Sequence, residues 1–417
     1  MQLESHADFT NRVYNSADRR RVPVNGTIEI SHRCPLTCSH CYNNLPMNDQ
    51  GARSLEMTFE EHCALIDEIA EAGCLFLLFT GGEIFARRDF LDIYDHAKKR
   101  GFIITLFTNG ILIDERIADH LALRRPFAIE ITLYGATKAT YEKLTCIPGS
   151  YDKCMRGIRL LMERNLPLKL KTVGTSINVH EVFEMKQMSE ELGVEFKFDA
   201  MINPRIDCSS APAAVRLTPE EIVMLDLRDG GRIAEWRRLA EDLAPAPTPP
   251  GEMQSLYHCG AGVNSWAVDP YGNLTMCVIS HAEHFNVRGR SFREGWEFLS
   301  KNVRQRKITR PTKCTECKLK SMCGMCPANG ELEKGDPEEP VEWLCHLAHL
   351  RATLFDVDIT PHGDCENCTD EARERLAQTA VELKARVADK PMMIPIPLAG
   401  SAPAAGCASD GCSSCRI

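Results

Sequence analysis

Between Val24 and about Ile202, short apolar runs alternate with amphipathic stretches. Gly26–Ser31 (GTIEIS) predicts a strand, and Leu75–Thr80 (LFLLFT) is nearly continuous in apolar residues, as expected where both faces of a parallel sheet are covered. Between them, Thr58–Ala72 has apolar residues at helical spacing, with Thr58 as a cap ahead of Glu60 and Glu61. The alternation continues with a helix over Asp89–Arg100 closed by Gly101, a strand over Phe102–Thr108 and a helix over Asp114–Leu123. Phe127–Leu133 and Tyr151–Arg164 form the next strand and helix, and Leu168–Thr175 and Val194–Met201 are strands around the helix His180–Leu192. Six βα units in a row predict parallel strands with right-handed crossovers. The pattern alone suits a doubly wound open sheet as well as a curved partial barrel.

Beyond Arg205 the pattern loosens. Thr218–Leu227 and Ile233–Leu243 read as helices, Ala244–Gly251 as a proline-rich joint, and Ser265–Asp269 with Asn273–Val278 as a hairpin around Pro270-Tyr271-Gly272-Asn273. A helix is predicted over 370–387, then a Pro/Ala-rich linker over Pro391–Ala405. The expected domains are an extension (1–23), a barrel (24–203), a helical connection (204–253), a cysteine-rich domain (254–360) and a helix with a tail (361–417). A chain of 417 residues has room for a large domain and a smaller one. Its net charge of −9 argues against general affinity for nucleic acid or acidic membranes. No apolar run is long enough to span a bilayer, and Met1–Asp18 has no apolar signal region, which points to a cytoplasmic protein.

The cysteines change the picture most. There are 20, in a large chain without an export signal, so metal ligation is favoured over disulfides. Cys34-x3-Cys38-x2-Cys41 directly follows the first predicted strand. Three thiolates around a four-iron cluster leave one iron open to a substrate or cofactor. A second group runs Cys259-x17-Cys277, then Cys314-x2-Cys317-x5-Cys323-x2-Cys326, then Cys345. Two CxxC pairs could make a four-cysteine zinc site, but seven cysteines exceed one zinc. Cys365 and Cys368 form a further CxxC, and Cys407, Cys412 and Cys415 lie in a small, polar tail; the pair could join that tail or belong to no cluster.

The Cx3CxxC loop resembles the signature of radical S-adenosylmethionine enzymes. The resemblance selects a (β/α)6 partial TIM barrel and implies that the open iron chelates S-adenosyl-L-methionine and that reduction yields a 5′-deoxyadenosyl radical. Gly81-Gly82-Glu83, one βα unit later, is similar to the family motif that holds the methionine amino group; alone, it would be a plain turn. His40 stands where the family has an aromatic against adenine. Thr108-Asn109-Gly110 and Thr132-Leu133-Tyr134-Gly135 match strand ends lining the cofactor pocket, so Asn109 and Thr132 are candidate contacts. The stretch from Ile131 to Leu160 resembles peptide-modifying maturases with extra clusters.

The second array resembles the SPASM extension, with two auxiliary 4Fe-4S clusters besides the one that binds S-adenosylmethionine. The resemblance implies Cys314, Cys317, Cys323 and Cys345 for the farther cluster, and Cys259, Cys277 and Cys326 for the nearer. The last spacing is two residues where the family has three, and no fourth cysteine serves the nearer cluster. A substrate thiolate, His258 or a residue elsewhere could complete it. Val278 replaces the aspartate of sulfatase-maturating members; His281, His284, Asp199 and Asp207 remain as proton-handling candidates, each better read as structural. The expected function is radical modification of a ribosomally made peptide, by hydrogen abstraction and then a thioether, a carbon–carbon cross-link or another oxidation. A small-molecule or tetrapyrrole substrate is the alternative, and a non-enzymatic iron–sulfur electron carrier a third, disfavoured by the cofactor pocket. A reducing partner such as flavodoxin or ferredoxin is implied.

Overall fold

The computed structural model describes residues 20–241 and 254–388, with residues 10, 12 and 13 besides. The predicted joint at 244–251, the linker from Pro391 and the cysteine tail lie outside the described residues. The described residues form two compact units, one of those up to Arg216 with Cys259–Gln305, the other of those within Leu217–His258 with 306–388.

Six parallel strands organise the first unit: β1 (Asn25–Glu29), β2 (Phe76–Thr80), β3 (Ile103–Thr108), β4 (Ala128–Thr132), β5 (Leu168–Val173) and β6 (Glu195–Asp199). They pair in chain order, with no reversal among them. Crossovers of one hand between successive neighbours put every helix on the same face, so the sheet curls into a partial barrel; a doubly wound sheet needs a reversal in strand order. Ile28, Phe79, Leu106, Ile129 and Leu170, one from each of the first five strands, are fully buried and fill the core. The helix Phe59–Glu71 begins with a capping box: Thr58 Oγ1 accepts from Glu61 N at 3.2 Å and Glu61 Oε2 from Thr58 N at 2.7 Å.

The expected hairpin forms as β7 (Ser265–Val268) and β8 (Asn273–Thr275), with β9 (Phe285–Asn286) beside β8. Unforeseen in the sequence, β7 pairs in parallel with β1 and continues the barrel sheet. Gly26 makes the join possible, because a Cβ there would sit 2.2 Å from the buried Trp266 ring. The order is β9-β8-β7-β1-β2-β3-β4-β5-β6.

The loops after β1 and β2 meet as closely as main chains can. Gly82 N donates to Ser31 O at 2.7 Å and Glu83 N to Arg33 O at 3.1 Å. A Cβ on Gly81, whose φ is +129°, would lie 2.3 Å from Ser31 O, and one on Gly82 would lie 2.5 Å from His32 O. Neither carbonyl can retreat without breaking the entry to the cysteine loop.

In the second unit, Asp226 on the helix Pro219–Leu227 is 1% exposed. Its carboxylate accepts from Arg351 Nε at 3.0 Å and Arg232 Nε at 2.6 Å, and Arg351 stacks 3.9 Å over Trp236. Burial alone would raise the Asp226 carboxyl, but Arg351 and Arg232 outweigh it and hold it below its ordinary value.

Two predictions follow from these contacts. Gly82→Ala should destabilise the first unit by at least about 2 kcal/mol, through overpacking against carbonyl oxygens, read as a lower urea midpoint. Asp226→Ala, which strands two arginines, should cost the second unit about 3–5 kcal/mol. Because the folded carboxyl titrates lower than the unfolded one, its contribution is complete above the ordinary value of 3.8 and fades as pH falls through the folded value. Asp226→Asn should therefore remove part of the acid-induced loss of stability seen in pH-dependent melts.

Candidate functional site

The C-terminal ends of β1 to β4 deliver the sequence-predicted residues of the first site to one end of the sheet, the end where βα loops carry chemistry. β1 feeds the cysteine loop, β2 feeds Gly81-Gly82-Glu83, β3 ends at Thr108 before Asn109, and β4 ends at Thr132 beside Lys171 of β5. The cysteine loop is held at several points. Leu45 N donates to His32 O at 2.8 Å, while Thr37 N and Ser39 N each donate, at 3.1 Å, to the carbonyls of Thr145 and Leu144. Those two residues end the helix Lys138–Thr145, which belongs to the maturase-like stretch. Arg205 closes the far side, donating to Cys41 O at 3.3 Å and to Asn44 Oδ1 and O, each at 2.9 Å.

Cys34 is buried. Burial, with the Glu83 carboxylate second, pushes its thiol up to about 12; Cys38 is raised by burial and by Cys41 and Cys34, and Cys41 chiefly by burial. Without a cation these groups stay protonated, so this donor set suits a metal centre that holds them as thiolates. Asn109 Nδ2 reaches Cys34 Sγ at 3.4 Å. Soft sulfur ligands with donors around them fit an iron–sulfur cluster.

Glu83 is 1% exposed and already engaged. Thr108 Oγ1 donates to both carboxylate oxygens at 2.8 and 2.9 Å, Asn109 N donates at 2.9 Å and Phe85 N at 3.1 Å. The carboxylate therefore ties the end of β2 to the end of β3. His40 packs against Tyr134 with ring centroids 5.3 Å apart. Its Nδ1 is buried without a hydrogen-bond partner, and burial pushes the imidazole down to about 4. A neutral ring with an orphaned nitrogen fits a position facing a bound aromatic or polar group.

Sequence reasoning missed a polar cluster at the end of β1. Glu29, 1% exposed, accepts from Asn43 Nδ2 at 2.7 Å and Tyr42 OH at 3.0 Å, with His32 Nε2 at 3.4 Å. The signal was a glutamate in mid-strand in GTIEIS. The proton-handling candidates take structural roles: Asp199 accepts from the backbone of Ala200 and Met201, Asp207 from Ser209 N, His281 lies 2.7 Å from Val278 O, and His284 lies 3.2 Å from His281 O.

The second array divides. Cys259 is exposed and, like Cys277, belongs to the first unit; Cys314, Cys317, Cys323, Cys326 and Cys345 belong to the second. Cys314, Cys317, Cys323 and Cys345 line one cavity, with Lys313 beside them. Cys326 stands at the N-cap of the helix Pro327–Lys334. Cys345 Sγ lies 3.7 Å from Cys365 Sγ and accepts from Asn367 Nδ2 at 3.4 Å.

Comparison with known proteins agrees with this geometry. The AdoMet-dependent heme synthase of Methanosarcina barkeri is 25% identical over 333 residues, covering 75% of this chain and 94% of that protein. The PqqA peptide cyclase of Granulibacter bethesdensis is 29% identical over 171 residues, 41% of this chain and 45% of its own length. Streptococcus suis SuiB bound to its precursor peptide SuiA shares the fold, with a TM-score of 0.61 and 16% identity over 81% of this chain and 80% of that one. Residues 28–188 match the Radical SAM superfamily, so this stretch of the chain is a radical S-adenosylmethionine domain.

Proposed function

We propose that this enzyme modifies a ribosomally made peptide, forming a thioether, a carbon–carbon cross-link or another oxidised product. The observation that carries the reading is the fold shared over most of the chain with SuiB in its precursor-peptide complex. Cys34, Cys38 and Cys41 would hold the 4Fe-4S cluster, and Gly81, Gly82, Glu83, His40, Asn109 and Thr132 would surround S-adenosyl-L-methionine. When bound, that pair supplies a 5′-deoxyadenosyl radical to remove a hydrogen atom from a substrate carbon.

The chain's own residues position and insulate. Glu83 fixes two strand ends through Thr108 and Asn109 N, so the pocket wall is set before any ligand arrives. His40 and Tyr134 cover the cysteine loop with neutral rings that exclude water. Asn109 Nδ2 donates to the sulfur of Cys34. Cys314, Cys317, Cys323 and Cys345 would carry one auxiliary cluster, and Cys259 and Cys277 are candidate ligands of the other. A flavodoxin or ferredoxin is the expected electron donor in a cytoplasmic setting. Among the described residues, no helix is long and apolar enough to cross a membrane.

A tetrapyrrole substrate is the second reading, favoured by the alignment with the heme synthase over 94% of that protein. Anaerobic protein given a strong reductant should cleave S-adenosylmethionine to 5′-deoxyadenosine, and Cys34→Ala should abolish this. Incubation with short cysteine-containing peptides encoded beside the gene should yield a product lighter by two hydrogens in mass spectra. Turnover of an iron tetrapyrrole, with every such peptide unchanged, would decide for the second reading. Asn109→Ala should lower the potential of the first cluster, because a hydrogen bond to a ligating sulfur stabilises the more negative, reduced state; a redox titration followed by electron paramagnetic resonance measures the shift.

A further inference from the structure

Four side chains outside the sequence-predicted cluster ligands converge in the second unit. The ligating atoms of His349, His362, Cys365 and Cys368 all lie within 4.8 Å of one another. His349 projects from the helix Glu342–Leu354, while Cys365 and Cys368 bracket a single helical turn. Their exposures are 1%, 7%, 4% and 9%, in that order along the chain. The spacing is H-x12-H-x2-C-x2-C.

His349 Nδ1 lies 2.8 Å from the carbonyl oxygen of Cys345. That oxygen can only accept, so Nδ1 carries the proton and Nε2 presents its lone pair. Nε2 is 3.6 Å from Cys365 Sγ and 3.5 Å from Cys368 Sγ. Cys368 Sγ is 3.6 Å from His362 Nδ1, which also lies 2.9 Å from Thr360 O, so ligation through that nitrogen requires the His362 proton to move to Nε2 and the Thr360 contact to be given up. A tetrahedral zinc with Zn–S of about 2.3 Å and Zn–N of about 2.0–2.1 Å has a sulfur–nitrogen edge of about 3.6 Å.

We propose that His349, His362, Cys365 and Cys368 bind a tetrahedral zinc ion directly beside the cavity lined by Cys314, Cys317, Cys323 and Cys345, with Cys345 Sγ 3.7 Å from Cys365 Sγ. The thiolates of a cubane cluster bind different irons, so they do not converge on a point as these four atoms do. Two thiolates neutralise a divalent ion, so the loaded site adds no net charge to a buried region. Mixed imidazole and thiolate ligands suit zinc. Leu319, Met322, Ala348, Ala352 and Ile359 pack around the two cysteines, and the ion would tie the helix Glu342–Leu354 to the start of the helix Asp370–Ala388. The site is redox-silent, and its role is to hold that region together.

Full-length protein purified anaerobically should contain one zinc per chain in addition to its iron, by elemental mass spectrometry. Zinc-edge X-ray absorption should show two sulfurs at about 2.3 Å and two nitrogens at about 2.0–2.1 Å. Cys365→Ala/Cys368→Ala should lose the zinc while keeping its iron content and cluster absorbance. Iron lost in step with these two cysteines, zinc unchanged in their absence, or an all-sulfur shell would each overturn the site. The absorption measurement needs only the wild-type chain, so a double variant that fails to fold leaves the test intact. Wild-type protein that retains no zinc also overturns it.

Discussion

The contact on which the first unit depends is the one between the main chain at Ser31–Arg33 and Gly81-Gly82-Glu83. Two hydrogen bonds, from Gly82 N to Ser31 O at 2.7 Å and from Glu83 N to Arg33 O at 3.1 Å, lock the exit of one strand to the exit of the next. Peptide planes approach so closely that no side chain fits between them. The cysteine loop therefore leaves β1 from a fixed point, and the Glu83 carboxylate passes that constraint on to Thr108 and Asn109 at the end of β3. Three strand ends are thus referenced to one another before the cysteines are considered.

Each unit keeps polar groups buried in its own way. At the end of β1, Glu29 is satisfied by Tyr42 and Asn43 with His32 close by, so a buried charge at the strand's exit has partners without solvent. In the second unit Asp226 is shared by two arginines, one of which also lies over Trp236. The cysteines are the groups whose burial the neighbouring donors do not offset. Burial raises Cys34, Cys38 and Cys323 alike, and only bound metal makes thiolates stable there. The polar networks are satisfied within the protein; the thiols need a cation to ionise.

Much of this was legible in the chain. The six strands of the barrel fall within a residue or two of the apolar runs that announce them, because core-facing residues such as Ile28, Phe79 and Leu106 impose their own period. The motifs after β1 to β4 are local, so their arrival at one end of the sheet follows once strand order is known. The reach of β7 back to β1 was not legible: it joins residues 25–28 to 265–268, and its one trace was Gly26, a small residue at a strand start. The engagement of Glu83 was hidden as well, since a motif names a residue type and not its hydrogen-bond partners. The convergence of His349 and His362 on Cys365 and Cys368 depends on how a helix and the chain after it fold back, and the 12-residue gap between the histidines resembles no short motif.

β1 has a neighbour on either side, β2 from residues 76–80 and β7 from residues 265–268. On the ribosome these two partners are made at very different times. Once β2 has emerged, the strand bearing the cysteine loop still shows an open edge, and it keeps that edge until nearly 200 further residues have been synthesised. An unpaired edge invites other strands, and a long-range pairing closes slowly. The strand that carries the cysteine loop thus gains its second neighbour only after β2 to β6 have all been made, and until residues 265–268 arrive its open edge is the point where the folding sheet can pair wrongly.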